Sequence, residues 1–343
     1  MSEDCTFYTN LQNTVSFLLG FEIHIAIFSF SINLFHIIVL TRACMRTSSI
    51  NLIMAAATVS DMYSQFYIIE QKIKSHYENL ETCFSGTSYL NVLVDILLKL
   101  LKDVSRRSST WLNFSIALIR TLVIRNPMNP KFEKLSNPKT AFYFVLFILI
   151  FNVSISTFGS FQFIILSEKA TNDCDRKPKK VVTYRFDFSE FFMGNDLMVY
   201  KVYNSFDAFL SKFIPSILFP IATIFLIWEL RKNEKNRIKI SSSNAYNSSG
   251  KTTKLVLFLT ITFFIAEFPL ALITALEPYY SDAYGLLLLL NYFNYLFTII
   301  LSANTSTHMT ICLLLSSQYR EAAKSVLLCG YLSKVPNKKT IRI

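Results

Sequence analysis

The sequence predicts an all-α membrane protein: a bundle of seven transmembrane helices with an extracellular N-terminus and a short amphipathic eighth helix. Three observations predict it. Hydrophobic residues make up 52% of the 343-residue chain, with 32 phenylalanines and only 17% charged residues, where a soluble domain carries about a quarter charged residues. Six apolar runs each reach the roughly 20 residues that crossing a bilayer requires. Lysine and arginine are divided unevenly among the segments that join those runs.

The same composition excludes several classes. Seven glycines rule out collagen-like and glycine-linker chains. Six cysteines are too few for a disulfide scaffold. A net charge of +11 would suggest nucleic acid in a soluble chain, but here the cations collect beside the apolar runs, so no nucleic-acid partner is expected. Residues 1–16 lack a basic n-region and the first apolar run is too long for an h-region, so the first helix is expected to act as an uncleaved signal anchor. No zinc spacing, nucleophile–base pair or phosphate-cradling glycine loop is present, so neither an enzyme nor a bound cofactor is expected. The tract Ser241–Gly250 is polar and low in complexity, and it reads as a loop.

Taken in order, the expected spans cover about residues 17–40, 50–69, 89–124, 140–166, 206–230, 255–276 and 285–315. Residues 316–343 are left as an amphipathic helix and short tail. The third span carries Asp95, Lys99, Lys102, Asp103, Arg106, Arg107 and Arg120. At 100° per residue the six charges from Asp95 to Arg107 share one arc of roughly 140°, with Arg120 on the same side. Leu93, Leu97, Leu100, Val104 and Trp111 form the apolar remainder. That pattern fits a helix whose charges turn into a bundle, with an amphipathic surface helix as the alternative. With the N-terminus outside, the cytoplasmic segments hold 19 Lys and Arg against nine in the extracellular ones, which sets the orientation. The basic loop 167–205 nearly balances its seven cations with six acids.

Several residues then fall at meaningful spacings. Asn33 lies in the first span, and Met45–Asn51 (MRTSSIN) opens the second, with Asp61 ten residues after Asn51. The third reads RRSSTWL (106–112) and ALIRTLVI (117–124), followed by NPMNPKF (126–132). Pro215 interrupts the fifth, the sixth contains TITFFIAEFPL (260–270), and His308 and Cys312 precede SSQYR (316–320). In order and spacing this set resembles rhodopsin-like G-protein-coupled receptors, and more closely the nematode serpentine chemoreceptors of class W, over about residues 30–330. Members of that family look like receptors for neuropeptides of the FMRFamide type.

The resemblance implies a plasma-membrane receptor of sensory or other neurons for an extracellular peptide or small-molecule ligand, signalling through a heterotrimeric G protein. It implies a ligand pocket about Asp95, Lys99, Lys102, Asp103, Arg106, Lys212, Glu267 and Glu277, and G-protein coupling through Arg120, Pro127 and Met128. It places Asn33, Asp61, Ser109, Asn304, Thr305 and His308 in a polar core, with room for a sodium ion near Asp61. A lone carboxylate such as Asp61 in an apolar span costs about 2.5–3.5 kcal/mol, which favours a polar surround. Cys83 and Cys174 both fall on the oxidising side, where a disulfide persists; Cys5 competes with them. Cys329 follows Tyr319 in an amphipathic segment suited to palmitoylation.

Departures from the family pattern matter as well. Ile119-Arg120-Thr121 leaves the arginine without its neighbouring acid, and basal activity is expected to be higher. His308–Cys312 has neither the proline nor the tyrosine of the usual motif. Local pairs are expected at Asp95–Lys99, Lys99–Asp103 and Asp103–Arg107, and an ion pair at Arg106–Glu267. The alternative function is a ligand-gated channel or transporter that uses the charged third helix as its pathway. An inverted seven-helix channel would need the opposite charge bias, and no internal repeat points to a transporter.

Overall fold

In a bilayer, backbone groups find partners only inside helices or closed barrels, so each apolar run closes into a helix. The computed structural model describes residues 2–80, 86–126, 129, 132, 134–172, 179–238, 261, 263–280 and 283–328. Helices α1 (Ser2–Leu40), α2 (Ser49–Leu80), α3 (Tyr89–Arg125) and α4 (Pro138–Ser160) form the first four spans. An antiparallel hairpin, β1 (Phe163–Asn172) and β2 (Lys179–Phe188), follows. The fifth span is α5 (Glu190–Ala208), a π turn (Phe209–Phe213) and α6 (Ile214–Ile238). Residues 263–276 form α7 of the sixth span. The seventh is α8 (Tyr284–Thr305) and α9 (Thr307–Leu315), and α10 (Ser317–Leu327) lies beyond it.

Among the described residues five helical stretches are long and apolar enough to cross a membrane, covering the first, second, fourth, fifth and seventh spans. The third carries its load of charge, and only part of the sixth is described. Local chemistry starts the helices: Ser88 accepts from Asn91 N at 3.2 Å, and Asn137 accepts from Lys139 N at 3.1 Å with Pro138 leading the helix. Ser316 accepts from Tyr319 N at 3.1 Å. Each satisfies a backbone donor that has no partner in the first turn.

The expected limits need correction. α1 runs back to Ser2 and takes in most of the segment read as a separate N-terminus, and α2 continues eleven residues past 69 to Leu80. Once a helix exists, each further residue adds a hydrogen bond for little cost, so helices outrun the apolar stretch that nucleates them. The fourth span stops at Ser160 instead of 166 because Ile164 and Ile165 pair across the hairpin with Asp187 and Phe186. The fifth begins earlier than 206 and holds a left-handed run at Asn195, Asp196 and Leu197. Its π turn lies just before Pro215, which has no N–H for the carbonyl four residues back.

α3 runs through the middle of the bundle, packed against α2, α4 and α6. Lipid offers no hydrophobic drive for helix association, so close packing over small residues holds membrane helices together. Ala57, Ala141, Ala266 and Ala271 are accordingly buried, whereas Phe147, Ile150, Phe158 and Trp228 face outward. The interior is correspondingly polar, with Asn33, Asp61, Gln65, Ser108, Asn152 and Glu267 all buried. His36 Nδ1 meets Tyr319 Oη at 2.6 Å, tying α10 to α1.

Candidate functional site

The charged arc of α3 faces a cavity of about 590 Å³ lined by residues of six of the seven spans, all but the fourth, and by the base of the hairpin. Six carboxylates and six lysines and arginines line it. The hairpin is held over its mouth by Tyr184 N donating to Thr87 O at 2.9 Å and Thr87 N donating to Thr183 Oγ1 at 2.8 Å. Gly86, at φ 86°, permits the turn into this contact. Gln162, Phe163 and Phe188 form the lining on that side. Lys99 Nζ sits 4.3 Å from the Phe163 ring centroid, and Lys102 Nζ lies 5.3 Å from that of Tyr67, both within cation–π reach.

Seven of the eight residues expected at a ligand pocket border this one cavity: Lys99, Lys102, Asp103, Arg106, Lys212, Glu267 and Glu277. Asp95 does not; it pairs with Lys74 of α2. The helical extension beyond the expected end of the second span brings that lysine alongside. Glu277 lies in the turn after α7, where burial pushes its carboxyl above the usual range and Lys212 pulls the other way.

The pairs expected within α3 do not form. Lys102 reaches its immediate neighbour Asp103 at 3.8 Å, while Arg107 reaches across to Asp207 of α5 at 2.8 Å. Arg107 also donates to Ser156 of α4, and Ser211 in the π turn donates to Asp207 Oδ1 at 2.7 Å. The side chains are only 9% and 14% exposed, so this network is an internal clamp on three spans. Tertiary packing brings Asp207 closer than residues four apart on α3, which point along the helix surface.

The expected Arg106–Glu267 pair is also absent. Arg106 Nε is buried with no hydrogen-bond partner among the described residues, and the 2%-exposed Glu267 does not bridge to it. The neighbouring arginine supplies the reason: Arg107, tied to α4 and α5, fixes the rotation of α3 and leaves Arg106 facing the open volume.

At the deep end, Ser109 Oγ donates to Asp61 Oδ1 at 2.5 Å, and Asn113 Nδ2 donates to Ser109 at 3.4 Å. Asn304, Thr305 and His308 border the same space, and Thr307 Oγ1 donates to Asn304 Oδ1 at 3.3 Å. Asn33 is buried outside the lining, with neither amide atom hydrogen-bonded among the described residues. Sequence reasoning missed Asp207 and also Glu22, which borders the cavity and pairs with Lys72 at 2.9 Å. Each is a carboxylate in or at the edge of an apolar span, and that signal alone marks a functional candidate.

Beyond the floor, Arg120 lies on α3 within electrostatic reach of Cys312 of α9, where the family motif has its tyrosine. No acid pairs with Arg120 among the described residues. Thr121 Oγ1 donates to Ala222 O of α6 at 3.2 Å, and Arg125 faces Glu229 at 3.9 Å. Pro127, Met128, Cys83, Cys174 and Cys329 lie outside the described residues.

Residues 20–330 match the model of the serpentine type 7TM GPCR chemoreceptor Srw family. The chain belongs to this family. The receptor is therefore a multi-pass plasma-membrane protein that couples an extracellular chemical cue to a G protein, and the channel or transporter alternative has no support. Its family is normally non-enzymatic. No curated protein matches the receptor's sequence.

Proposed function

We propose that the receptor recognises an extracellular ligand carrying both charge signs, a peptide with a cationic side chain and a polar terminus or a small molecule of the same character. The balance of six carboxylates against six lysines and arginines around one cavity carries this reading. A neutral odorant would leave those with no ion pair among the described residues, such as Lys99, Arg106, Lys212 and Glu277, desolvated without compensation. The hairpin end is the extracellular mouth, in keeping with the excess of Lys and Arg on the segments at the other end. Ligand binding favours one of two arrangements of the bundle and opens a crevice where Arg120, with the loop containing Pro127 and Met128, meets the G protein.

Asp61, Ser109, Asn304 and Thr305 offer the oxygen-rich surround that suits a sodium ion, which would hold the deep end in one arrangement. A Cys83–Cys174 disulfide would tether the hairpin to the start of α3, and palmitoylation of Cys329 would anchor the segment after α10. The test is a screen of amidated peptides and charged small molecules on cells expressing the receptor, read by calcium and cAMP. A charged agonist is expected, with potency changed by charge reversal at Lys99 or Glu277. A small apolar volatile as the best agonist would overturn the reading.

A further inference from the structure

We propose that Arg106 and Lys212 form an anion subsite inside the cavity, and that the activating ligand presents a carboxylate to them. The inference rests on the reading of this cavity as the ligand site and names the group that site holds. Arg106 and Lys212 line the same cavity and act on one another electrostatically. Neither forms an ion pair among the described residues, and Arg106 Nε has no hydrogen-bond partner there. Two cations facing one space at membrane depth are costly unless an anion joins them.

The neighbouring acids do not fill that role. Asp207 is held by Arg107 and Ser211, and Asp61 acts on Arg106 through space without bridging to it, accepting instead from Ser109. Glu267 acts on Lys212 but bridges to neither cation. Lys212 is placed deliberately by the backbone. A π turn takes about one residue more than an α turn, so Lys212, five residues after Asp207, comes round to nearly the same face of the span. Its Nζ donates to Thr274 Oγ1 at 2.6 Å, and Thr274 spends its own proton on Leu270 O at 2.8 Å. An ammonium has three donors, which leaves two for a ligand. The guanidinium of Arg106 adds a planar fork that matches a carboxylate. A phosphate dianion would lose more hydration on reaching this depth.

The test uses the purified full-length receptor in detergent and four probes on one skeleton: N-acetylglycine, N-acetylglycinamide, N-acetylethylenediamine and N-acetyl-O-phosphoethanolamine, at matched ionic strength. N-acetylglycine is expected to raise the thermal unfolding midpoint in a saturable way, with smaller or no effect from the others. Arg106→Gln and Lys212→Gln should each weaken that response about tenfold or more. Arg106→Lys and Lys212→Arg should keep part of it, and Lys324→Gln on α10 should keep all of it. If a Gln variant fails to accumulate, the contrast between acid and amide on the wild type decides. Equal or larger shifts with the amine or the phosphate overturn the carboxylate subsite, as does wild-type affinity in Arg106→Gln. A charged agonist sensitive to Lys99 and Glu277 but indifferent to a carboxylate overturns the subsite alone. Loss of that sensitivity as well overturns the ligand cavity.

Discussion

Substituting Asp207 by Asn should destabilise the receptor more than any other single change of similar size at the cavity. The change keeps volume and an acceptor for Ser211, which donates at 2.7 Å, but removes the charge 2.8 Å from Arg107 Nε. Arg107 cannot shed its proton, so it remains a cation in a setting where its side chain is 9% exposed. Breaking such a pair from one side costs about 3–5 kcal/mol. Asn still accepts one hydrogen bond, and the hydroxyl of Ser156 remains bonded to Arg107, so the lower end, about 3 kcal/mol, is expected. Removing both charges, as in Arg107→Met with Asp207→Leu, should recover most of the loss, because buried pairs replaced by apolar residues are often neutral or better. Thermal unfolding of the detergent-solubilised receptor and surface expression, measured over the full double-mutant cycle, provide the assay. Additive effects of Arg107→Met and Asp207→Leu, or an Asp207→Asn receptor that melts with the wild type, would refute the clamp.

Arg120→Ala should abolish G-protein activation while surface expression and ligand binding persist; nucleotide exchange on the G protein in isolated membranes checks it. An epitope tag at the N-terminus should stain intact cells and one at the C-terminus should need permeabilisation, and reversed staining would invert the orientation. Gly159→Ala should lower surface expression sharply, because a Cβ there would overlap the Tyr203 hydroxyl, and Tyr203→Leu in the same chain should restore part of the loss.

The apolar spans were legible without tertiary structure because bilayer thickness acts on each apolar run separately. The inward turn of the charged α3 was equally legible, since 3.6-residue periodicity is local. Charge around one cavity could be anticipated at Lys99, Lys102, Asp103, Arg106, Lys212 and Glu267, each a costly residue at membrane depth, and at Glu277 just beyond the sixth span. The sequence did not say which charge meets which. Arg106 and Arg107 are adjacent and chemically identical, yet one clamps three spans and the other faces open volume. That difference comes from the rotation of α3 against α4 and α5, which depends on Ser156, Asp207 and Ser211 from elsewhere in the chain. Asp95 found Lys74 for the same reason: α2 continues past the membrane-length run and carries the lysine within reach. Local rules set where charge is needed, because solvation cost belongs to each residue. Tertiary structure chose the partners, because a Coulomb interaction depends on distances that only helix packing fixes.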